Sequence, residues 1–68
     1  MATPLRDQIA ELRRELSVRR RVFPDWVARG RISQDEADRR VARMEGALAS
    51  LHELDRLTSP TLFDQDSP

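Results

Sequence analysis

The 68-residue chain contains no cysteine, lysine or tyrosine, one histidine and only two glycines. Without cysteine there is no disulfide staple and no thiolate metal site. A lone His52 cannot hold a metal without several carboxylate helpers. Two separated glycines leave no phosphate-binding loop spacing, and no nucleophile–base constellation can be assembled, so an enzyme is not expected, nor is any cofactor, metal or small-molecule substrate. No long apolar run occurs. The start, MATPLRDQIAE, has the pattern of neither a secretory signal nor a membrane span, and the chain is expected to be cytoplasmic wherever it is made.

What is abundant is charge, with 12 basic and 12 acidic residues and a formal net charge of +0. Balance of this kind argues against generic affinity for nucleic acid or anionic lipid, both of which rest on a net basic footprint. Every basic residue is an arginine. A GC-rich coding sequence accounts for that bias without a functional cause.

Apolar residues recur with helical spacing. Thr3 and Pro4 read as an N-cap followed by proline at the first helical position. Leu5, Ile9, Leu12 and Leu16 then follow at intervals of four, three and four, which is one stripe of a helix and equally a heptad seam. Arg19 takes the next seam position, and Phe23 and Trp26 resume the rhythm. Glu15 lies four residues before Arg19, the favourable order for an intrahelical pair. Pro24 lacks an N–H and disfavours helical geometry at Phe23, so the first helix is expected to end or kink near Val22 and Phe23. A short turn over 24–29 follows, stopped by a left-handed Gly30.

Ser33-Gln34-Asp35-Glu36 spells a capping box, with Ile32 placed to staple against Ala37. The second helix carries Val41, Met44, Leu48 and Leu51 at three-four spacing. Asp35 with Arg39 and Glu36 with Arg40 are acid-before-base pairs on its solvated flank. After Leu57 the composition turns to proline, polar residues and aspartate, and 58–68 reads as a disordered acidic tail. Its Leu62–Phe63 pair has the core of a short linear motif but lacks the flanking residues.

The expected fold is all-α: an antiparallel helix-turn-helix hairpin over about 4–22 and 34–57, forming one domain over 1–57. One hairpin cannot cover both stripes, and so small a chain without disulfides commonly needs a partner chain. A homodimeric four-helix bundle is therefore expected, with Leu5, Ile9, Leu12, Leu16 and Arg19 meeting Val41, Met44, Leu48 and Leu51. Arg19, a cation on the seam, is expected either to snorkel outward or to pair with an acid across the interface, such as Glu45 or Asp38, and in the latter case to set the dimer register.

Two functional surfaces stand out. Arg6, Arg13 and Arg20, seven apart, form a stripe about 20 Å long, flanked by Arg14 and Arg21. It has the form of a phosphate-backbone contact, but Asp7, Glu11 and Glu15 are interleaved with it, and a solvated charged face is the simpler account. The corner containing Val22, Phe23, Trp26, Val27 and Ile32 either plugs the end of the bundle or binds a partner. Trp and Arg are the residues most enriched at binding hot spots, so Arg20, Arg21, Phe23, Trp26 and Arg29 are the candidate partner-binding residues, with Phe23 and Val27 inward and Trp26 partly outward. His52 with Asp55 has helical spacing for a weak metal site, and a solvated histidine is the more economical reading.

The elements E-L-x-x-E-L at Glu11 to Leu16, R-R-x-V-[FY]-P-x-W-V-x-x-G at Arg20 to Gly30, and A-x-x-R-x-x-x-M-E at Ala37 to Glu45 resemble a family of very small proteins encoded by phages and prophages of Gram-negative bacteria. The likeness runs from about Leu5 to Leu54 and leaves out the tail. In size and hairpin-dimer design the chain is similar to the anti-quorum-sensing anti-activators of Pseudomonas phages. That resemblance implies a protein that disables a host regulatory protein by direct binding, namely a LuxR-type transcriptional activator, a pilus-assembly ATPase, or both. It carries no individual contact residue onto this chain. The alternatives are a small nucleic-acid-associated phage protein using the arginine stripe and a structural subunit of a phage assembly.

Overall fold

A computed structural model describes residues 3–58. It contains two helices, α1 over Leu5–Ala28 and α2 over Gln34–Thr58. Each is about 36 Å long at 1.5 Å per residue. They pack against each other as an antiparallel hairpin. Arg20 ties to Glu45, the loop end brings Phe23 beside Ala37 and Val41, and the open end brings Leu12 beside Leu51. Thr58, expected to open the acidic tail, instead ends α2, and the rest of that tail, including Leu62 and Phe63, lies outside the described residues.

The start of α1 differs by one position from the expectation. Pro4, at φ −54° and ψ 144°, occupies the N-cap itself without a side-chain cap, and its carbonyl accepts from the N–H groups of Asp7 and Gln8. Thr3 contributes its carbonyl instead, accepting at 2.8 Å from the Gln8 amide. Proline's extended ψ suits the non-helical cap position as well as its φ suits the first turn.

The expected break at Val22–Phe23 does not occur. α1 runs through Pro24 to Ala28. The proline ring is on the exposed side, and so is Arg20, whose carbonyl loses its usual N–H partner there. The bond is lost on an exposed stretch of the helix, where a missing hydrogen bond costs least. Continuing the helix keeps Phe23, Trp26 and Val27 on the packed side.

The helix stops at Gly30, φ 74°. Arg31 N–H bonds the Trp26 carbonyl at 2.8 Å and Gly30 N–H bonds the Val27 carbonyl at 3.0 Å, the paired bonds of a Schellman ending. Ser33 caps α2 as expected, its hydroxyl accepting from Glu36 N–H at 3.0 Å. The reciprocal half of the box is replaced, because the Glu36 carboxylate turns to Arg39 at 2.7 Å and Arg40 at 2.9 Å. Arg39 thus pairs with the residue three before it rather than with Asp35, since both neighbours of Glu36 on its face are arginines.

The core is narrow. Ile9, Leu16, Phe23 and Ala37 are the buried apolar residues among those described. The first three are seven apart, so one heptad line of the α1 stripe faces α2. The other line, Leu5, Leu12, Arg19 and Trp26, is only half-buried, as are Val41, Met44, Leu48 and Leu51 on α2. Leu54 and Leu57 are exposed. Among the described residues no helix is long and apolar enough to cross a membrane.

Candidate protein-interaction surface

The corner residues separate into inner and outer sets. Phe23 is buried against α2, and Trp26 leans on it with ring centroids 5.5 Å apart and planes inclined at 46°. A tilted pair at that distance is a favourable aromatic geometry. Trp26 is half-buried, as are Val27 and Ile32. A large side chain is thus held rigidly from behind and left open in front, which lowers the ordering cost of any contact it makes. Phe23 supports this arrangement from inside rather than forming part of the open surface.

The arginines around it have different fates. Arg29 pairs with Asp25 at 3.0 Å, Arg20 reaches across to Glu45, and Arg21 and Arg31 are exposed. Arg20–Glu45 is the one ion pair joining the two helices among the described residues. Arg20, expected on the outer face, therefore flanks the helix–helix seam. Its place seven residues after Arg13 and four after Leu16 is the signal that puts it beside the buried line. Engaging Arg20 also takes the last member out of the Arg6–Arg13–Arg20 stripe, and Arg14, beside that stripe, is held by Glu11.

Arg19 pairs within its own helix, with Glu15 at 3.5 Å, both side chains about 40% exposed. The acids expected to meet it are occupied in the hairpin: Glu45 by Arg20, and Asp38 by the Gln34 amide at 2.8 Å. Around Arg19 the helix surface stays apolar, with Leu12, Val22 and Trp26 all half-buried.

At the open end of the hairpin lies a shallow groove that periodicity alone did not reveal. Leu12 and Leu51 form its floor, and Asp7, Gln8, Glu11 and Glu15 its rim. Its acids are the residues interleaved with the arginine stripe, and only the pairing of α1 with α2 shows that they border an apolar floor. A second hollow at the loop end is bounded by Arg20, Pro24, Asp38 and Val41.

Among the described residues Glu36 is the one group with a clearly displaced pKa, lowered from 4.5 to about 2. Hydrogen bonds from Arg39 and then Arg40 are the main cause, with their charges adding to it. This acid ties together the first turns of α2. His52 is exposed, and among the described residues no three metal-binding side chains converge.

No known protein-family model, no curated protein and no solved structure matches the chain.

Proposed function

We propose that this hairpin is a homodimeric, non-catalytic binding module that disables a host regulatory protein by occupying its surface. The observation that carries this reading is the apolar stripe left half open by the two helices, ending at the rigid Trp26 corner among outward arginines. Two copies complete the stripe as a four-helix bundle, and Arg21 and Arg29 near Trp26 supply the cationic contact to an acidic or grooved target, Arg20 being held by Glu45. Preformed helices keep the entropy cost of that contact low. Following the sequence resemblance, the target is a LuxR-type activator, with a pilus-assembly ATPase as a second.

The test uses purified components. The wild-type chain is expected to co-elute with a LuxR-type activator and to silence its reporter. Arg21→Glu combined with Arg29→Glu, both on exposed positions, should keep its helicity and lose co-elution by tenfold or more, as expected when like charge replaces a hot-spot cation. Wild-type chain that binds neither the activator nor the ATPase would remove the target assignment. A gel-shift series at low salt tests the arginine-stripe alternative, since a phosphate binder shows steep salt dependence.

A further inference from the structure

The outward strip of α1 reads the same in both directions. Gln8, Leu12, Glu15, Arg19, Val22 and Trp26 recur at four, three, four, three and four, which places them within about 80° of arc on the helix. Glu15 through Trp26 of this strip, and Leu12 before them, are half-buried by their own hairpin. About a midpoint at Ser17, Glu15 is the counterpart of Arg19, Leu12 of Val22, and Gln8 of Trp26. Acid answers base, aliphatic answers aliphatic, and the polar rim of the open groove answers the indole.

We infer that the strip is a two-fold docking surface for a second copy of this chain, α1 lying antiparallel on α1 with the dyad level with Ser17, whose own side chain lies on the opposite side of the helix. Self-complementarity of a patch with itself is the requirement of an isologous interface, and four-three spacing suits a shallow crossing of antiparallel helices. At the dyad Glu15 and Arg19 of each copy stand against Arg19 and Glu15 of the other. The loose 3.5 Å pair within one helix then becomes a four-charge cluster, with two attractive contacts across the interface. Further out, Leu12 packs on Val22. Trp26 seats over the floor of Leu12 and Leu51, where Gln8 and Glu11 on the rim offer acceptors to the indole N–H.

Charge selects the antiparallel arrangement over a parallel one: in a parallel pair Asp7, Glu11 and Glu15 would each stand near their own copies, whereas the antiparallel pair brings Arg19 to Glu15 and the apolar loop end to the groove. This inference rests on the reading of the protein as a homodimeric binding module and sharpens it. Trp26 and its strip belong to the dimer, and Arg21 and Arg29 are left outward for the target.

A mixing experiment tests it. Arg19→Glu gives a strip with acid at both central positions, and Glu15→Arg gives one with base at both. Each variant alone should dimerise at least roughly tenfold more weakly than wild type, since like charges then face each other. Mixed one to one, they should recover a heterodimer of near wild-type affinity in light scattering and native mass spectrometry. Neither variant regains its own intrahelical pair on mixing, so recovery reports contact across the interface. The sole tryptophan gives a second readout, because its emission should move to shorter wavelength as wild-type concentration rises through the dimer transition. Homodimers of either variant as tight as wild type, or no recovery on mixing, overturn the dyad. A wild-type chain monomeric throughout overturns the second copy and assigns the strip to a different protein. Target co-elution is read separately with the Arg21 and Arg29 variant, which leaves the strip intact.

Discussion

At the scale of single residues, Glu36 has the most consequential chemistry. Its carboxylate accepts from two arginines one turn on, while its own N–H is capped by Ser33. A negative charge in the first turn of α2 is also favoured by the helix dipole. With a folded pKa of about 2 against an ordinary 4.5, the folded chain binds fewer protons than the unfolded chain between those values. The stabilisation is therefore complete above about 4.5 and is lost as pH falls toward 2. Glu36→Gln is expected to flatten the acid limb of a helicity titration over that interval. An unchanged limb would show that the arginine bonds do not persist in solution. The outward ion pairs Arg14–Glu11 and Arg29–Asp25 are highly exposed, where such pairs contribute little.

At the scale of the helices, the two glycines make opposite demands. Gly30 holds φ 74° and Gly46 sits inside α2, and beyond their own chain neighbours and helix backbone neither has an atom within 4 Å of where a Cβ would lie. Space is therefore not the difference between them, and backbone conformation is. Gly46→Ala should raise stability by about 1 kcal/mol, the helix-propensity difference. Gly30→Ala should lower it by about 1 kcal/mol or more, since an L residue is strained in the left-handed region. Chemical denaturation of the two variants beside wild type gives both signs in one experiment, and equal signs would contradict the Schellman ending. Pro24 teaches a related lesson. Its local rule called for a break, but packing of Phe23, Trp26 and Val27 overrode it where both Pro24 and Arg20 are exposed.

At the scale of the whole molecule, the narrow core sets the behaviour. Three large side chains and one alanine are buried, and none of the described side chains is sealed completely from solvent. Chains of this size with so little core commonly take their remaining stability from association. The thermal midpoint is accordingly expected to rise by about 5 °C for each tenfold increase in protein concentration. A midpoint independent of concentration would mean that the hairpin is stable alone.

The alternation of four and three, the capping serine and the glycine stop are local signals, and from them the sequence by itself determined two helices, the Gly30–Ser33 junction between them and the antiparallel hairpin, though not that α1 runs through Pro24 to Ala28. Such signals are readable because helix period and cap chemistry depend on residues within a turn or two of each other. Which half of the α1 stripe faces α2 was decided only by the tertiary structure. Leu12 and Leu16 are equally apolar as letters, and only the angle at which one helix meets the other buries Leu16 and leaves Leu12 on the floor of an acid-rimmed groove. The same angle gave Glu45 to Arg20 rather than to Arg19, because an ion pair between distant residues depends on where two helices cross and not on the spacing within either one.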